Sequence, residues 1–423
     1  MKTLKVGIIG FGTVGTGVYK VLQNFPQIEI VKIAVKNLNK KRNIENFNEK
    51  LLTDNAYEIV QNPEIDIVIE VAGGVNPTFD ILKKAINNGK HIVTANKELL
   101  AKHGSELFAL AREKNTRILY EAAVAGGIPI IMPIKTTLCA NKIKRIAAIL
   151  NGTTNYILTS MTDKEVSYEE ALKTAQELGY AETDPTGDVE GYDAAYKIAI
   201  LSTISFHKKV DVNKIYREGI TKITAQDIKS AKDLGYKIKL IAMGQALDNG
   251  KIDVRVHPML VAQKHLLAKI DNATNSIMIT GNPVGNLVLT GPGAGAEPTS
   301  SSVVGDLMVL ASGLQNDGNP LPQLICNHTE YADQIDIGDT YNEYYISINA
   351  SNFPGAIGVV GTICGHNNIN ISTIMQKGTN DDNTAEIVVI TERSKESDVQ
   401  NALTELVKSD CIKKIDNLLR VMN

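Results

Sequence analysis

The sequence predicts an α/β chain in three parts. Three observations carry that prediction. Short apolar runs alternate with helical stretches over residues 1–130, longer strands and apolar helices follow from 131, and the tail reads strand–helix–strand–strand–helix–strand. A chain of 423 residues is too long for one ordinary domain. Apolar residues make up 43% and charged residues 22%, the balance of a globular protein. The net charge of −3 gives no basic field for nucleic acid, and no apolar run approaches the roughly 20 residues of a membrane span. The start of the chain lacks a signal-peptide layout. Cys139, Cys326, Cys364 and Cys411 are scattered and form no CxxC pair. A reducing cytoplasm and no zinc site are expected.

In the first part, KVGII (5–9) leads into GFGTVGTGV and a helical pattern to about Asn24. IEIVKIAV (28–35), DIVIEV (66–71), KHIVT (90–94) and TRILY (116–120) are further buried-strand runs. The alternation predicts a parallel sheet covered by helices. Gly10, Gly12 and Gly15 form G-x-G-x-x-G between strand and helix. Gly10 permits a tight turn, Gly12 lets backbone approach a pyrophosphate, and Gly15 lets the helix pack closely. Phe11, Thr13 and Val14 complete the loop, whose helix-end N–H groups suit an anion. The reading is a Rossmann-like dinucleotide domain; a purely structural glycine turn is the alternative. An NAD-preferring site ends its second strand with an acid. Here Lys36 stands there, followed by Lys40, Lys41 and Arg42. Basic groups attract a 2′-phosphate, so NADP(H) is preferred, with NAD(H) or a plain solvated loop as alternatives. EVAGG (70–74) and VTANKELL (93–100) place Gly73, Thr94 and Lys97 at strand C-terminal ends, where open sheets bind ligands. A lysine at a helix start opposes the dipole, which favours a functional Lys97 over a surface one.

The second part spans 131–318. KRIAAIL (144–150) is strand-like, SYEEALKTAQELG (167–179) is an amphipathic helix with a glycine stop, and GYDAAYKIAILSTISF (191–206) is a strongly apolar helix. YKIKLIAMGQAL and KIDVRVHPML read as neighbouring strands, giving an α+β catalytic domain with a mixed or antiparallel sheet. LTGPGAGAEPTSSSVVGDLMVLASG (289–313), which contains Gly293, is a glycine-rich loop entering a helix. Residues 300–318 are expected to return to the first domain, 1–130. Polar, turn-rich residues 319–342 read as a linker. The tail, 343–423, has EYYISINA, a helix at 355–367, NINISTIMQ, AEIVVIT, a helix near 395–408 and CIKKIDNLLRVM. That βαββαβ order is ferredoxin-like.

ETDPTGDVEGYDAAYK (182–197) carries Glu182, Asp184, Asp188, Glu190 and Asp193, then Lys197. A calcium loop would need Gly at the sixth and Glu at the twelfth position, where Val189 and Ala195 stand. A solvated turn fits TDPTGD. However, Asp193 and Lys197 share one helix face, and that helix is too apolar to offer a broad solvent face. Lys197 is expected partly buried, hence paired or functional; an ordinary i,i+4 pair is the bland alternative.

GYAETDP followed by DVEGYDAAYKIAIL resembles the signature of homoserine dehydrogenases. The resemblance continues through EAAVAGGIPII (121–131), ILNGTTNYIL (149–158), VTANKELL and TGPGAGAEPTSSSVVGD (290–306), and covers residues 1–318. The tail, with NFPGAIGVVGTICGHNNINISTI, resembles an ACT domain. The resemblance implies reversible NAD(P)H-dependent reduction of L-aspartate 4-semialdehyde to L-homoserine in threonine, methionine and isoleucine biosynthesis, without a fused kinase. It implies Lys197 in proton transfer, Glu182 and Asp193 on the substrate amine, and Lys97 near cofactor and substrate. Gly179, Tyr180, Asn151, Gly152 and Thr153 match substrate-pocket positions. Glu121, Val124, Gly126 and Ile128 match a monovalent-cation (sodium) site made largely of carbonyls. Asp188 is expected to support Lys197 beside the substrate.

The chemistry agrees with these residue types. Reducing a carbonyl builds charge on its oxygen, which a lysine ammonium stabilises and protonates; carboxylates suit the substrate ammonium. One rival is a semialdehyde dehydrogenase with a cysteine nucleophile, for which Cys139 has no placed partner. The other is a nucleotide-binding regulator without turnover. In the tail, Asn352, Pro354, Gly355, His366 and Asn368 mark the turns. The expected effector is threonine or another amino acid, with a structural dimerisation module as the alternative. A homodimer or homotetramer is expected, and deletion of 343–423 is expected to spare turnover.

Overall fold

The computed structural model describes residues 3–42, 44–45, 47–315, 326, 328–377 and 383–423; residues 319–325 and 327 of the expected linker lie outside them. The first domain runs β1 (Leu4–Ile9), α1 (Thr13–Leu22), β2 (Ile28–Ala34), β3 (Leu52–Thr53), α2 (Tyr57–Val60), β4 (Ile67–Glu70), α3 (Thr78–Asn87), β5 (His91–Thr94), α4 (Lys97–Glu113) and β6 (Ile118–Leu119). Its pairs are all parallel, in the order β3-β2-β1-β4-β5-β6. A parallel sheet is buried on both faces, which is why the strands read as unbroken apolar runs. Strand order reverses between β1 and β4, so the glycine loop and EVAGG face each other across the crevice where such sheets bind ligands.

The second domain comprises α5 (Ile131–Lys135), β7 (Lys142–Ile149), α6 (Gly152–Lys164), α7 (Tyr168–Glu177), α8 (Thr186–Val189), α9 (Tyr192–Phe206), β8 (Tyr216–Arg217), α10 (Ala225–Asp233), β9 (Tyr236–Ala246), β10 (Ile252–Ala262), β11 (Thr274–Asn282), β12 (Gly285–Pro292) and α11 (Ala296–Gln315). The expected strand pair is the antiparallel β9–β10 ladder. Helix α11 closes the first domain: Val303, Val304 and Leu307 share a core with Ile8, Val18 and Leu22. Gly17 of α1 permits that approach, since a Cβ there would lie 2.8 Å from the Ala296 carbonyl oxygen.

The tail forms β13 (Tyr341–Ser351), α12 (Ala356–His366), β14 (Ile371–Lys377), β15 (Thr384–Thr391), β16 (Ser394–Lys395), α13 (Glu396–Val407) and β17 (Ile412–Met422). Strand order β17-β13-β15-β14 is the ferredoxin-like arrangement, over a core that includes Val360, Ile363 and Leu406. The tail is not a separate body. Met259, Leu260 and Val261 of β10 pair in parallel with Arg420, Val421 and Met422 of β17. Among the described residues one sheet therefore runs β12-β11-β7-β9-β10-β17-β13-β15-β14 through both domains. The pairing continues the cover that β8 gives β10 at Arg255 and Val256. Nor do residues 328–340 cross solvent. The Lys209 N–H donates to the Glu330 carbonyl, the Ile252 N–H donates to the Asp333 carbonyl, and Ala332 is buried.

Candidate active site

Helix α9 buries Ala194, Ala195, Ile198 and Leu201, and with them Lys197, which is only 8% exposed. An ammonium so placed needs partners. Asp193, one turn earlier on the same face, accepts a 2.6 Å hydrogen bond on Oδ2 from Lys197 Nζ, which also donates to the Leu150 carbonyl at 2.8 Å. The other carboxylate oxygen, Oδ1, lies 3.1 Å from Nζ of Lys97, the first residue of α4. Asn151, two residues past β7, caps α6 by accepting the Thr154 N–H. Its amide donates to Asp188 at 2.6 Å and to Asp193 at 3.0 Å. The starts of α4, α6 and α9 thus meet at Asp193, and the α8 turn joins them through Asn151.

The charges follow from these distances. Burial alone would raise the Asp193 pKa, but Lys197 and Lys97 outweigh it and hold the carboxyl well below the usual range. Asp193 in turn raises the pKa of Lys97. Asp188 is pushed up, first by burial and then by the like charge of Asp193.

Asp193, expected on the substrate amine, has both oxygens on lysines; Asp188, expected to support Lys197, accepts the Asn151 amide and lies near enough to be influenced by the Lys197 charge. The i,i+4 spacing puts Asp193 directly over Lys197. Around them, the Thr153 hydroxyl donates to the Tyr180 carbonyl at 2.6 Å, and Gly152 sits where a Cβ would meet the Ala273 carbonyl at 2.7 Å. Gly179, at φ +76°, ends α7, and half-exposed Tyr180 lies with its ring 4.8 Å from that of Tyr156. Glu182 is exposed at the rim and is not brought into the hydrogen-bonded cluster. Asp184 accepts the Thr186 N–H as a turn residue, and Glu190 accepts the Thr221 hydroxyl.

The crevice fits a dinucleotide. Gly10 has φ +100°, and a Cβ there would lie 2.5 Å from the Ala72 nitrogen. A Cβ on Gly15 would lie 2.2 Å from the Gly10 carbonyl oxygen, whereas one on Gly12 would meet nothing within 4 Å. Helix α1 begins with no side-chain cap and no acid in its first turn, so its terminal N–H groups suit an anion. Thr13 is exposed, Val14 half-buried, and Phe11 stacks on Phe47 at 5.3 Å. Lys36 is exposed, and the Arg42 guanidinium lies 5.8 Å from the Phe11 ring centroid. Gly73, at φ +75°, has open space beside it. Thr94 is fully buried, its hydroxyl donating to Glu70 at 2.6 Å and accepting the Asn96 N–H. Glu70, which sequence reasoning passed over, also accepts the Ala72 and Gly73 N–H groups and so holds the EVAGG turn. A carboxylate inside the apolar run DIVIEV was the signal for it. Gly293 packs against Asn275, another group the sequence did not single out.

Of the residues matched to a cation site, the Glu121 carboxylate accepts the N–H groups of Ile130, Ile131 and Met132, capping α5. Gly126, at φ +53°, already accepts the Ser302 hydroxyl on its carbonyl at 2.7 Å. Val124 and Ile128 are buried beside it. Among the described residues no cluster of three His, Cys, Asp or Glu side chains could hold a metal ion.

Three family models match: "Homoserine dehydrogenase" over residues 129–308, "Homoserine dehydrogenase, NAD binding domain" over 10–121, and "ACT domain" over 344–410. A homoserine dehydrogenase of Synechocystis sp. is 40% identical, with 100% of both chains covered. The crystal structure of a homoserine dehydrogenase from Thiobacillus denitrificans superposes with TM-score 0.93 at 38% identity, covering 99% of this chain and 98% of that one. A hyperthermophilic archaeal homoserine dehydrogenase in complex with NADPH matches at TM-score 0.63 and 27% identity, over 73% of this chain and 98% of that one.

Proposed function

Since the chain belongs to the homoserine dehydrogenase family, and is an oxidoreductase acting on a CH–OH group, we propose that its reversible reduction of L-aspartate 4-semialdehyde to L-homoserine runs beside Lys197. The observation that carries this reading is the ion triplet Lys97–Asp193–Lys197 at the meeting of α4, α9 and β7. The nicotinamide supplies or accepts the hydride. In reduction, the Lys197 ammonium stabilises the charge building on the carbonyl oxygen and delivers the proton. In oxidation, the neutral amine takes the hydroxyl proton. Asp193 stays ionised throughout, fixing the position of Lys197 and of Lys97. Asp188 and Glu182 receive the substrate ammonium, which relieves the repulsion between Asp188 and Asp193. Gly179, Tyr180, Asn151, Gly152 and Thr153 form the walls of that subsite.

Gly10 to Gly15, Gly73 and Gly293 would hold the dinucleotide, with the α1 N–H groups on its pyrophosphate. Lys36, Lys40, Lys41 and Arg42 support a preference for NADP(H), since NAD(H) brings no 2′-phosphate to that basic loop. A sodium ion on the carbonyls of Val124, Gly126 and Ile128 would brace the loop and takes no part in the proton or hydride steps. The tail binds an amino-acid effector, which we assign to threonine as a feedback inhibitor, in a cytoplasmic homodimer or homotetramer. No cysteine contacts the Lys197 cluster among the described residues, so the thiohemiacetal reading gains no support. Purified protein should consume NADPH with aspartate semialdehyde, without phosphate or arsenate. Lys197→Ala should lose turnover while still binding NADPH by fluorescence titration; an inert wild type, or an active Lys197→Ala, contradicts the reading.

A further inference from the structure

The last strand of the tail reaches into the second domain through one side chain. Arg420 of β17 is fully buried, and carboxylates from both domains hold it. Its Nε and Nη2 donate to Glu396 of α13 at 3.1 and 2.6 Å, and its Nη1 donates to both oxygens of Glu218 at 2.8 Å. Nη2 also donates to the Tyr216 hydroxyl at 3.1 Å. A buried guanidinium is tolerable only when satisfied in this way, so the joint is firm.

Glu218 continues into the active-site turn. The Ile220 N–H donates to the Val189 carbonyl at 2.8 Å, and the Thr221 hydroxyl donates to Glu190 at 3.1 Å. The Arg217 guanidinium donates to the Glu190 carbonyl and lies 3.4 Å from the Tyr192 ring centroid. A Cβ on Gly219 would stand 2.4 Å from the Val189 carbonyl oxygen, so backbone rests on backbone here. Residues 188–190 and 217–221 are therefore one unit, and Asp188 belongs to it.

We propose that Arg420 is a positioning residue for the reaction: by gripping Glu218 it fixes the 217–221 segment, and through it the turn that presents Asp188 to the substrate ammonium. This rests on the assignment of Asp188 to that ammonium. The fold thus makes the tail part of the substrate subsite, at one remove from the chemistry.

Four variants of the full-length enzyme test the proposal: Glu218→Gln, Glu396→Gln, Arg420→Met and Asp188→Asn. Glu218 and Glu396 each give Arg420 a carboxylate, so a merely structural role predicts lowered Tm in both and no selective kinetic change. The expected result is a homoserine KM raised roughly 2- to 30-fold in Glu218→Gln, an unchanged cofactor KM, and a smaller effect in Glu396→Gln. Arg420→Met combined with Glu218→Gln should raise that KM no further than the larger single change. Where Arg420→Met does not fold, the two glutamine variants carry the test. An unmoved homoserine KM in Glu218→Gln, with a raised one in Asp188→Asn, overturns the proposal and leaves the Asp188 assignment standing. An unmoved KM in Asp188→Asn overturns the assignment, and the proposal with it.

Discussion

Two aspartates five positions apart have opposite environments, and their variants should separate. Asp193 is held ionised by two lysines, so Asp193→Asn frees both ammonium groups and should lower kcat on the order of a hundredfold. Its effect on the homoserine KM should be smaller. Asp188 has its pKa raised by burial and by Asp193. It binds an ammonium only when ionised, so protonation on acidification removes the attraction. The homoserine KM should therefore climb as pH falls from neutrality, beginning above the pH at which an ordinary aspartate titrates. It should be flat at higher pH, and Asp188→Asn should give a high KM with no such dependence. KM measured across that range for both proteins checks the sign; a KM that improves on acidification contradicts it. The Asp193–Lys197 pair was legible from its i,i+4 spacing and the apolar helix around it. The Lys97–Asp193 contact was not, because α4 and α9 meet only in the folded chain.

At the scale of elements, the glycine loop makes a prediction that separates folding from binding. Gly12 faces open space, so Gly12→Ala should leave stability within about 0.5 kcal/mol of wild type. It should still raise the cofactor KM, because the methyl group enters the volume the pyrophosphate needs. Gly15→Ala drives a Cβ against the Gly10 carbonyl oxygen and should lower both Tm and cofactor affinity. Thermal melts of the two apoproteins, set beside cofactor titrations, distinguish these outcomes. Strands of the parallel sheet were readable as apolar runs since both faces are buried. Strand β3, only two residues long, carried no such signal. For Thr94 the position at a strand end was visible, but its hydrogen bond to Glu70 was not.

Across the whole molecule, the continuous sheet revises the expectation that the tail is dispensable. Removing residues 343–423 strips β17 from the edge of β10 and leaves Glu218 without its guanidinium partner. The truncated chain should melt at lower temperature and lose turnover as well as amino-acid inhibition. A truncation with full kcat and an unchanged homoserine KM would show the domains to be independent. The ferredoxin-like order of the tail was plain from its run of elements. Its fusion to the catalytic sheet was hidden, because a three-residue parallel pairing between distant segments leaves no periodic trace. An effector that shifts β17 would, by the Arg420–Glu218 contact, alter homoserine affinity before cofactor affinity.

We assign the proton transfer to Lys197, held by Asp193, and kcat for homoserine oxidation against pH, for wild type and Lys197→Met, tests that assignment. Wild-type turnover should rise with pH, since the base must be neutral to accept the hydroxyl proton. Lys197→Met should lose roughly a hundredfold to ten-thousandfold in kcat, together with that rising limb, while its cofactor KM stays unchanged. A variant keeping most of the activity and the same pH profile would contradict the account.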